Sequence, residues 1–274
     1  MARPGSRLCA SILSAGLAAG LAAAPPVPAF AVETPRSFAA DYLVTWLNVP
    51  VYQTRFRALI RPNSYRAVMS ARSLGVVEMA TRIRVHFESV GRIVSDSFRP
   101  QAVRQIYLLK TGQFRHVDMT YGTDGRVATA IRPPEGPGKR RPVPDALVRY
   151  TQDPISALLG AVSTALTAKP CHHTASVFEG RRRVDTRLTH AGVERTPPLP
   201  VANLPARAEV CLLHARRIAG FQPRHYRRMP KMPPARLWVV RHPGARIWLP
   251  VQLRMDTRWG PIVARLTRFA AATR

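Results

Sequence analysis

The sequence predicts a mainly β fold, α+β in class, in which short antiparallel strands form a long meander interrupted by one amphipathic helix. Three observations predict it. Apolar and charged residues alternate with period two over residues 82–88 and 246–255; this puts Ile83, Val85 and Phe87 on one sheet face and the charged side chains on the other. Turn residues punctuate neighbouring runs, as in Tyr121-Gly122-Thr123-Asp124-Gly125 and Phe178-Glu179-Gly180, where glycine supplies the positive φ that tight hairpins need. Residues 153–169 alone among these segments carry helical spacing.

Residues 1–31 read as a cleaved export signal. Arg3 and Arg7 precede a small-apolar run over residues 8–24, then Pro25-Pro26-Val27-Pro28 and the small-x-small site Ala29-Phe30-Ala31. The prolines break helix so that the small residues present an extended scissile site, with cleavage expected after Ala31. The alternative is a retained anchor, since the run approaches the roughly 17 residues that can span a bilayer. Cys9 lies at the start of the apolar run and not just after it, which argues against a lipoprotein.

Cleavage leaves 274 − 31 = 243 residues, read as a single β-rich domain over 32–274, with a formal charge of +27 − 2 = +25. Strands are expected at 41–48, 51–60, 65–71, 82–88, 103–109, 114–121 and 126–131, before a Pro/Gly/Lys/Arg-rich loop at 133–144. Asp153-Pro154 then opens the helix with a capping acceptor and a proline at the first position, where its missing N–H costs nothing. Ile155, Leu158, Leu159, Val162 and Leu166 form its apolar stripe, and Lys169-Pro170 ends it. Further strands are expected at 176–179, 182–189, 208–218, 237–241, 246–255 and 262–269. Loops fall at 196–205 and 229–234. No stretch beyond the signal is long and apolar enough to cross a membrane.

Cys171 and Cys211 are the two cysteines left after cleavage, and an exported chain favours joining them. Two buried thiols are the alternative.

The residues of the second half resemble the midsection of exported bacterial proteins grouped as a domain of unknown function, DUF3108. The likeness rests on Asp153-Pro154-Ile155-Ser156-Ala157-Leu158-Leu159, Pro170-Cys171 and residues 177–185, Val-Phe-Glu-Gly-Arg-Arg-Arg-Val-Asp. It continues through Cys211, Ile218-Ala219-Gly220-Phe221, Leu237-Trp238-Val239, Leu249-Pro250-Val251-Gln252-Leu253 and Trp259-Gly260-Pro261. It covers roughly residues 38–269, with the N-terminal third matching only in strand pattern. The resemblance implies a fold similar to periplasmic lipoprotein carriers, a curved antiparallel sheet or incomplete β-barrel with the helix packed on its concave face. It implies no activity. The arginine load and the His172-His173 pair depart from the family pattern.

Catalytic motifs are absent. There is no G-x-S-x-G, H-E-x-x-H, C-x-x-C or P-loop, and the fifteen acidic residues are scattered. Adjacent histidines on a strand face opposite ways, so His172 and His173 do not readily share an ion; no metal or cofactor is expected. Arg181-Arg182-Arg183 is a candidate anion contact, with a solvated turn as the plainer alternative. Only four of the 42 basic residues are lysine, and GC-rich codons are one source of that bias. Whatever its origin, such charge attracts anionic headgroups or polymers at low salt. The tryptophans are spread over separate strands, so no specific nucleic-acid platform is expected.

Tyr42, Trp46, Phe87, Leu158, Leu159 and Leu249 are candidate apolar lining residues, with simple core burial as the alternative. The expected function is that of a non-enzymatic periplasmic protein whose half-barrel holds a lipophilic envelope component. The alternatives are a structural adaptor whose basic surface docks an acidic partner or polymer, and an extracytoplasmic enzyme with an unrecognised site.

Overall fold

Hairpin after hairpin, the chain lays down seven strands in its first half: β1 (Arg36–Trp46), β2 (Val49–Arg61), β3 (Ser64–Ser73), β4 (Arg84–Val94), β5 (Ser97–Leu108), β6 (Phe114–Tyr121) and β7 (Val127–Arg132). A short helix, α1 (Gly75–Thr81), joins β3 to β4. Helices α2 (Asp145–Val148) and α3 (Pro154–Ser163) come next. Six strands follow: β8 (His173–Phe178), β9 (Arg183–Arg195), β10 (Arg207–Ala219), β11 (Ala235–His242), β12 (Ile247–Thr257) and β13 (Gly260–Thr273). The computed structural model describes residues 36–110, 112–134, 141–163, 170–222, 233–242, 245 and 247–273.

The thirteen strands among the described residues belong to one sheet, in the order β7-β6-β5-β4-β3-β2-β1-β13-β12-β11-β10-β9-β8. Each neighbour pair is antiparallel, and every pair except β1 with β13 is consecutive in sequence. That one pair joins the two arms of the meander at the centre, with Arg36 opposite Thr273 and Trp46 opposite Ile262. The sheet edges are therefore β7 and β8, which α2 and α3 connect across the concave face.

Alternation builds the strands as expected. In β2, Phe56, Ala58 and Ile60 are buried while Arg55 and Arg57 are exposed, because one face of the pleat is dry and the other wet. Register shifts at Asp41/Tyr42, Val44/Thr45, Val90/Gly91 and Val210/Cys211 mark bulges, which bend strands and increase twist. The curl is tight enough that Phe178 of β8 packs in one buried cluster with Val103, Val117 and Met119 of β5 and β6. The edges stay unpaired with each other, so the barrel is incomplete. Gln152 straddles the gap, accepting from Phe178 N and donating to Ser176 O, each at 2.8 Å, while its side chain donates to Phe98 O at 2.7 Å.

Helix α3 begins at Pro154, as the Asp153-Pro154 pair predicts; residues 164–169 of the expected helix lie outside the described residues, as do the expected export signal and part of the 133–144 loop. Strand β6 matches its expected range, and most other strands run a few residues longer. Helices α1 and α2 were not expected. The first has seven residues, opens on Gly75-Val76-Val77 and lacks a side-chain cap, so propensity gives no sign of it. Cys171 and Cys211 form a disulfide with Cα atoms 5.3 Å apart, tying the entry of β8 to β10. The bridge closes a 40-residue separation, worth about 4 kcal/mol on the chain-entropy account.

Candidate functional site

Helix α3 is anchored to the sheet by a buried polar knot. Asp153 caps it: Oδ1 accepts from Ile155 N at 2.8 Å and Ser156 N at 3.3 Å. Oδ2 accepts from Ser89 Oγ of β4 at 2.9 Å and from the Ser156 hydroxyl. Tyr65 of β3 lies against both serines, its hydroxyl 2.6 Å from Ser156 Oγ and 3.4 Å from Ser89 Oγ. Gly91 makes room for that ring, since a Cβ there would stand 2.6 Å from the Tyr65 hydroxyl and 2.2 Å from Arg99 O. Asp153, Ser89 and Ser156 are fully buried. Burial pushes the Asp153 carboxyl above its ordinary 3.8, and the four donors pull it back only in part. The same burial, reinforced by the charge of Asp153, keeps Tyr65 neutral.

Beside this knot the helix leaves a cavity of about 480 Å³. Pro154, Ala157, Leu158 and Val162 roof it, and β1, β2, β3 and β8 to β13 supply walls that include Phe38, Phe56, Met69, Leu188 and Leu249. The polar groups in the wall are few. Tyr42 donates to Pro250 O at 3.0 Å, and burial holds its hydroxyl well above the ordinary tyrosine range. Gln252 accepts from Arg265 Nε at 3.0 Å. His173 is held below its ordinary 6.5 by burial, so it is a neutral imidazole at neutral pH, and its buried Nε2 has no hydrogen-bond partner among the described residues. Leu158, 38% exposed, lies on the solvent side of this space.

The structure divides the expected lining residues. Tyr42, Leu158 and Leu249 line the cavity. Phe87 and Leu159 do not; both are sealed in the packed core with Ile155, Phe98 and Tyr65, because α3 presses directly on β3 to β5 there. Trp46 is also corrected. It is the last residue of β1, 42% exposed, and its Nε1 donates to Trp259 O at 2.9 Å.

The arginine run is drawn inward more than the sequence suggests. Arg182 forms a two-pronged pair with Glu179 at 2.9 and 2.8 Å. Arg183, with 15% of its side chain exposed, binds Asp185, Ser176 Oγ at 2.7 Å and the Leu147 carbonyl. Two of the three candidate anion contacts are thus engaged within the fold, bracing the β8–β9 turn against α2, and Arg181 also lines a small recess beside Arg182, Tyr107 and Arg115. The sequence reading missed the knot and the place of His173. A serine at position 89, in register with inward-facing Val85 and Phe87, was the available sign of a buried polar contact.

No group of three or more His, Cys, Asp or Glu side chains that could hold a metal occurs among the described residues. Cys171 is committed to its disulfide, so the Cys171-His172-His173 segment offers no thiolate.

An unclosed antiparallel sheet, strapped by α3 over an apolar cavity, defines a mostly β, barrel-like class of fold. The chain belongs to the family described as a protein of unknown function, DUF3108, which it matches over residues 41–267. Among solved structures it is similar to a β-barrel-like protein of domain of unknown function DUF1849 from Brucella abortus, with 11% identity and a TM-score of 0.49, covering 88% of this chain and 98% of that one. No curated protein matches it.

Proposed function

We propose that this is a non-enzymatic binding protein of the bacterial periplasm whose cavity holds the apolar part of a lipophilic envelope component. The observation that carries this reading is the cavity itself. Its 480 Å³ falls within the roughly 300–1,000 Å³ of small-molecule sites. A sealed, empty void of that size would cost on the order of 10 kcal/mol, comparable with the whole stability of a domain, roughly 5–15 kcal/mol. Such space is tolerable only where it opens to solvent or is filled. Its walls offer water few partners, which favours an apolar occupant. The neutral His173, its Nε2 unpaired among the described residues, supplies one polar point of recognition. An adaptor with a filled interior accounts less well for this space.

Native mass spectrometry of protein from a periplasmic fraction, and titration of delipidated protein with cis-parinaric acid, test the reading. Expected are a co-purifying lipid and saturable, one-to-one probe binding that Ala264→Phe, which puts a ring into the cavity, weakens about tenfold or more. Bare protein that takes up no probe would overturn it.

A further inference from the structure

Nine of the thirteen large apolar side chains left exposed among the described residues lie on four connections at one end of the sheet. The β1–β2 turn and its strand ends carry Trp46, Leu47 and Val49, α1 carries Val76 and Met79, the β5–β6 turn and its strand ends carry Leu108, Leu109 and Phe114, and the β12–β13 turn carries Trp259. Hydrogen bonds join these connections side by side. Trp46 Nε1 reaches Trp259 O at 2.9 Å and Leu47 N reaches Pro261 O at 3.2 Å. Leu74 N, at the start of α1, bonds Val51 O at 2.8 Å, and Lys110 bonds Thr81 O through its amide and Met79 O through Nζ. The result is a continuous rim.

Two features of this rim have no explanation in folding. Helix α1 buries no residue, although an amphipathic surface helix ordinarily hides its apolar side; its Met79 is 67% exposed. Leu47 is 54% exposed and holds φ of 51°, a left-handed conformation that costs a leucine energy while more than half of its surface stays in solvent.

The charge among these side chains is of one sign. The Arg258 guanidinium lies 4.0 Å over the Trp259 ring, and Arg82 and Lys110 are exposed. The acids close by are neutralised, Glu78 by Arg84 at 2.7 Å and Asp256 by Arg254 at 2.8 Å. Tryptophan, leucine, methionine and phenylalanine interspersed with arginine and lysine match the chemistry of the bilayer interface, where aromatic rings sit at headgroup level and cations meet anionic lipid.

We propose that this rim docks the protein onto the surface of an anionic phospholipid bilayer, with Leu47, Met79 and Phe114 entering the acyl boundary and Arg82, Lys110 and Arg258 contacting headgroups. The inference stands apart from the cavity: a protein with a filled interior would dock equally well.

Flotation of the full chain with phosphatidylcholine vesicles, and with vesicles enriched in phosphatidylglycerol, tests it. Partition is expected on the anionic vesicles, with a blue shift of tryptophan emission, and about tenfold less on the neutral ones. Leu47→Asn/Met79→Ser/Phe114→Ser should lower partition about tenfold, since binding scales with the apolar area buried, with circular dichroism unchanged. Should that variant misfold, Met79→Ser alone, on a helix with no buried residue, should lower it about threefold. Ala264→Phe should leave partition unaltered, which separates this rim from the cavity. Failure to float with either vesicle would overturn the proposal and point to a protein or polymer partner. Partition that survives both rim variants would overturn it as well, by assigning attachment to the arginines of the convex face.

Discussion

Helix α3 meets the two halves of its sheet on different terms. Toward β3, β4 and β5 it is packed solid: Ile155 and Leu159 are 1% and 0% exposed, and Asp153 and Ser156 are knotted to Ser89 and Tyr65. Toward β8 to β13 the same ten residues leave a cavity, with Ala157 and Leu158 at its border. A helix that packs to full density along one flank shows that the space on its other flank is no general failure of the fold. The packed flank presents Ile155 and Leu159, the cavity flank Pro154, Ala157, Leu158 and Val162, and the small side chain at position 157 leaves room opposite.

Two adjacent leucines put the sharpest test to that contrast. Leu159→Ala should cost about 4 kcal/mol, as complete burial leaves its neighbours unable to fill the gap. Leu158→Ala should cost less than about 1 kcal/mol in ligand-free protein, since much of that side chain already faces solvent or open space. Urea denaturation measures both. Equal losses would mean that the cavity flank is as tightly packed as the other.

The knot gives a smaller effect with a sign in pH. Asp153 has a folded-state pKa above its ordinary 3.8, so the folded protein binds its proton more tightly than the unfolded chain does. This carboxyl therefore destabilises the fold above its folded pKa, and that penalty is relieved as pH falls toward 3.8. Asp118 and Asp185, lowered despite their burial by pairing with Arg104 and Arg132 and with Arg183 and Arg216, act in the opposite sense. Their contribution is present above 3.8 and lost as pH falls through their folded values. Asp153→Asn keeps an oxygen for the helix cap and should cost about 1 kcal/mol at low pH. The deficit relative to wild type should be largest in acid and shrink as pH rises past the folded pKa of Asp153, because only the wild type loses stability there. Urea midpoints over a pH series would reveal it; a deficit that does not vary with pH would mean that Asp153 is unperturbed.

How far the sequence discloses such features depends on how local their causes are. Alternation in β2, β4 and β12 reports a dry face and a wet face from one strand alone, and Asp153-Pro154 reports a helix start within two residues. The disulfide is legible from the cysteine count together with the export signal expected over residues 1–31. The cavity is not, because nine strands and a helix contribute to it. Phe87 and Leu249 share residue class and inward orientation, yet one meets α3 and the other meets space. Trp46 follows the inward parity of β1 but stands at its last position, where it is exposed. The run Arg181-Arg182-Arg183 looks solvated until Glu179 and Asp185, close in sequence on either side, fold back to pair with it.

The two ends of the sheet carry the contrast outward, through one backbone turn used twice. Leu47 and Asn48 close β1–β2 with φ of 51° and 66°; Ser95 and Asp96 close β4–β5 with φ of 48° and 61°. Such turns demand positive φ at both central residues, which suits Asn, Asp and Gly and penalises leucine. At the β4–β5 end the polar pair answers that demand. At the β1–β2 end a leucine resists it, gaining partial contact with the Gly260 backbone, where an added Cβ would lie 2.2 Å from Leu47 Cδ2. Leu47→Asn should therefore change stability by no more than about 0.5 kcal/mol, relief of backbone strain offsetting the lost contact. Ser95→Leu, the reverse exchange, should cost about 1 kcal/mol, since it imports the strain without a neighbour to pack against. Thermal melts of the two variants decide the matter. If Leu47→Asn instead proves strongly destabilising, leucine is there to hold the turn; if it is neutral, the residue is kept at position 47 for something outside the fold.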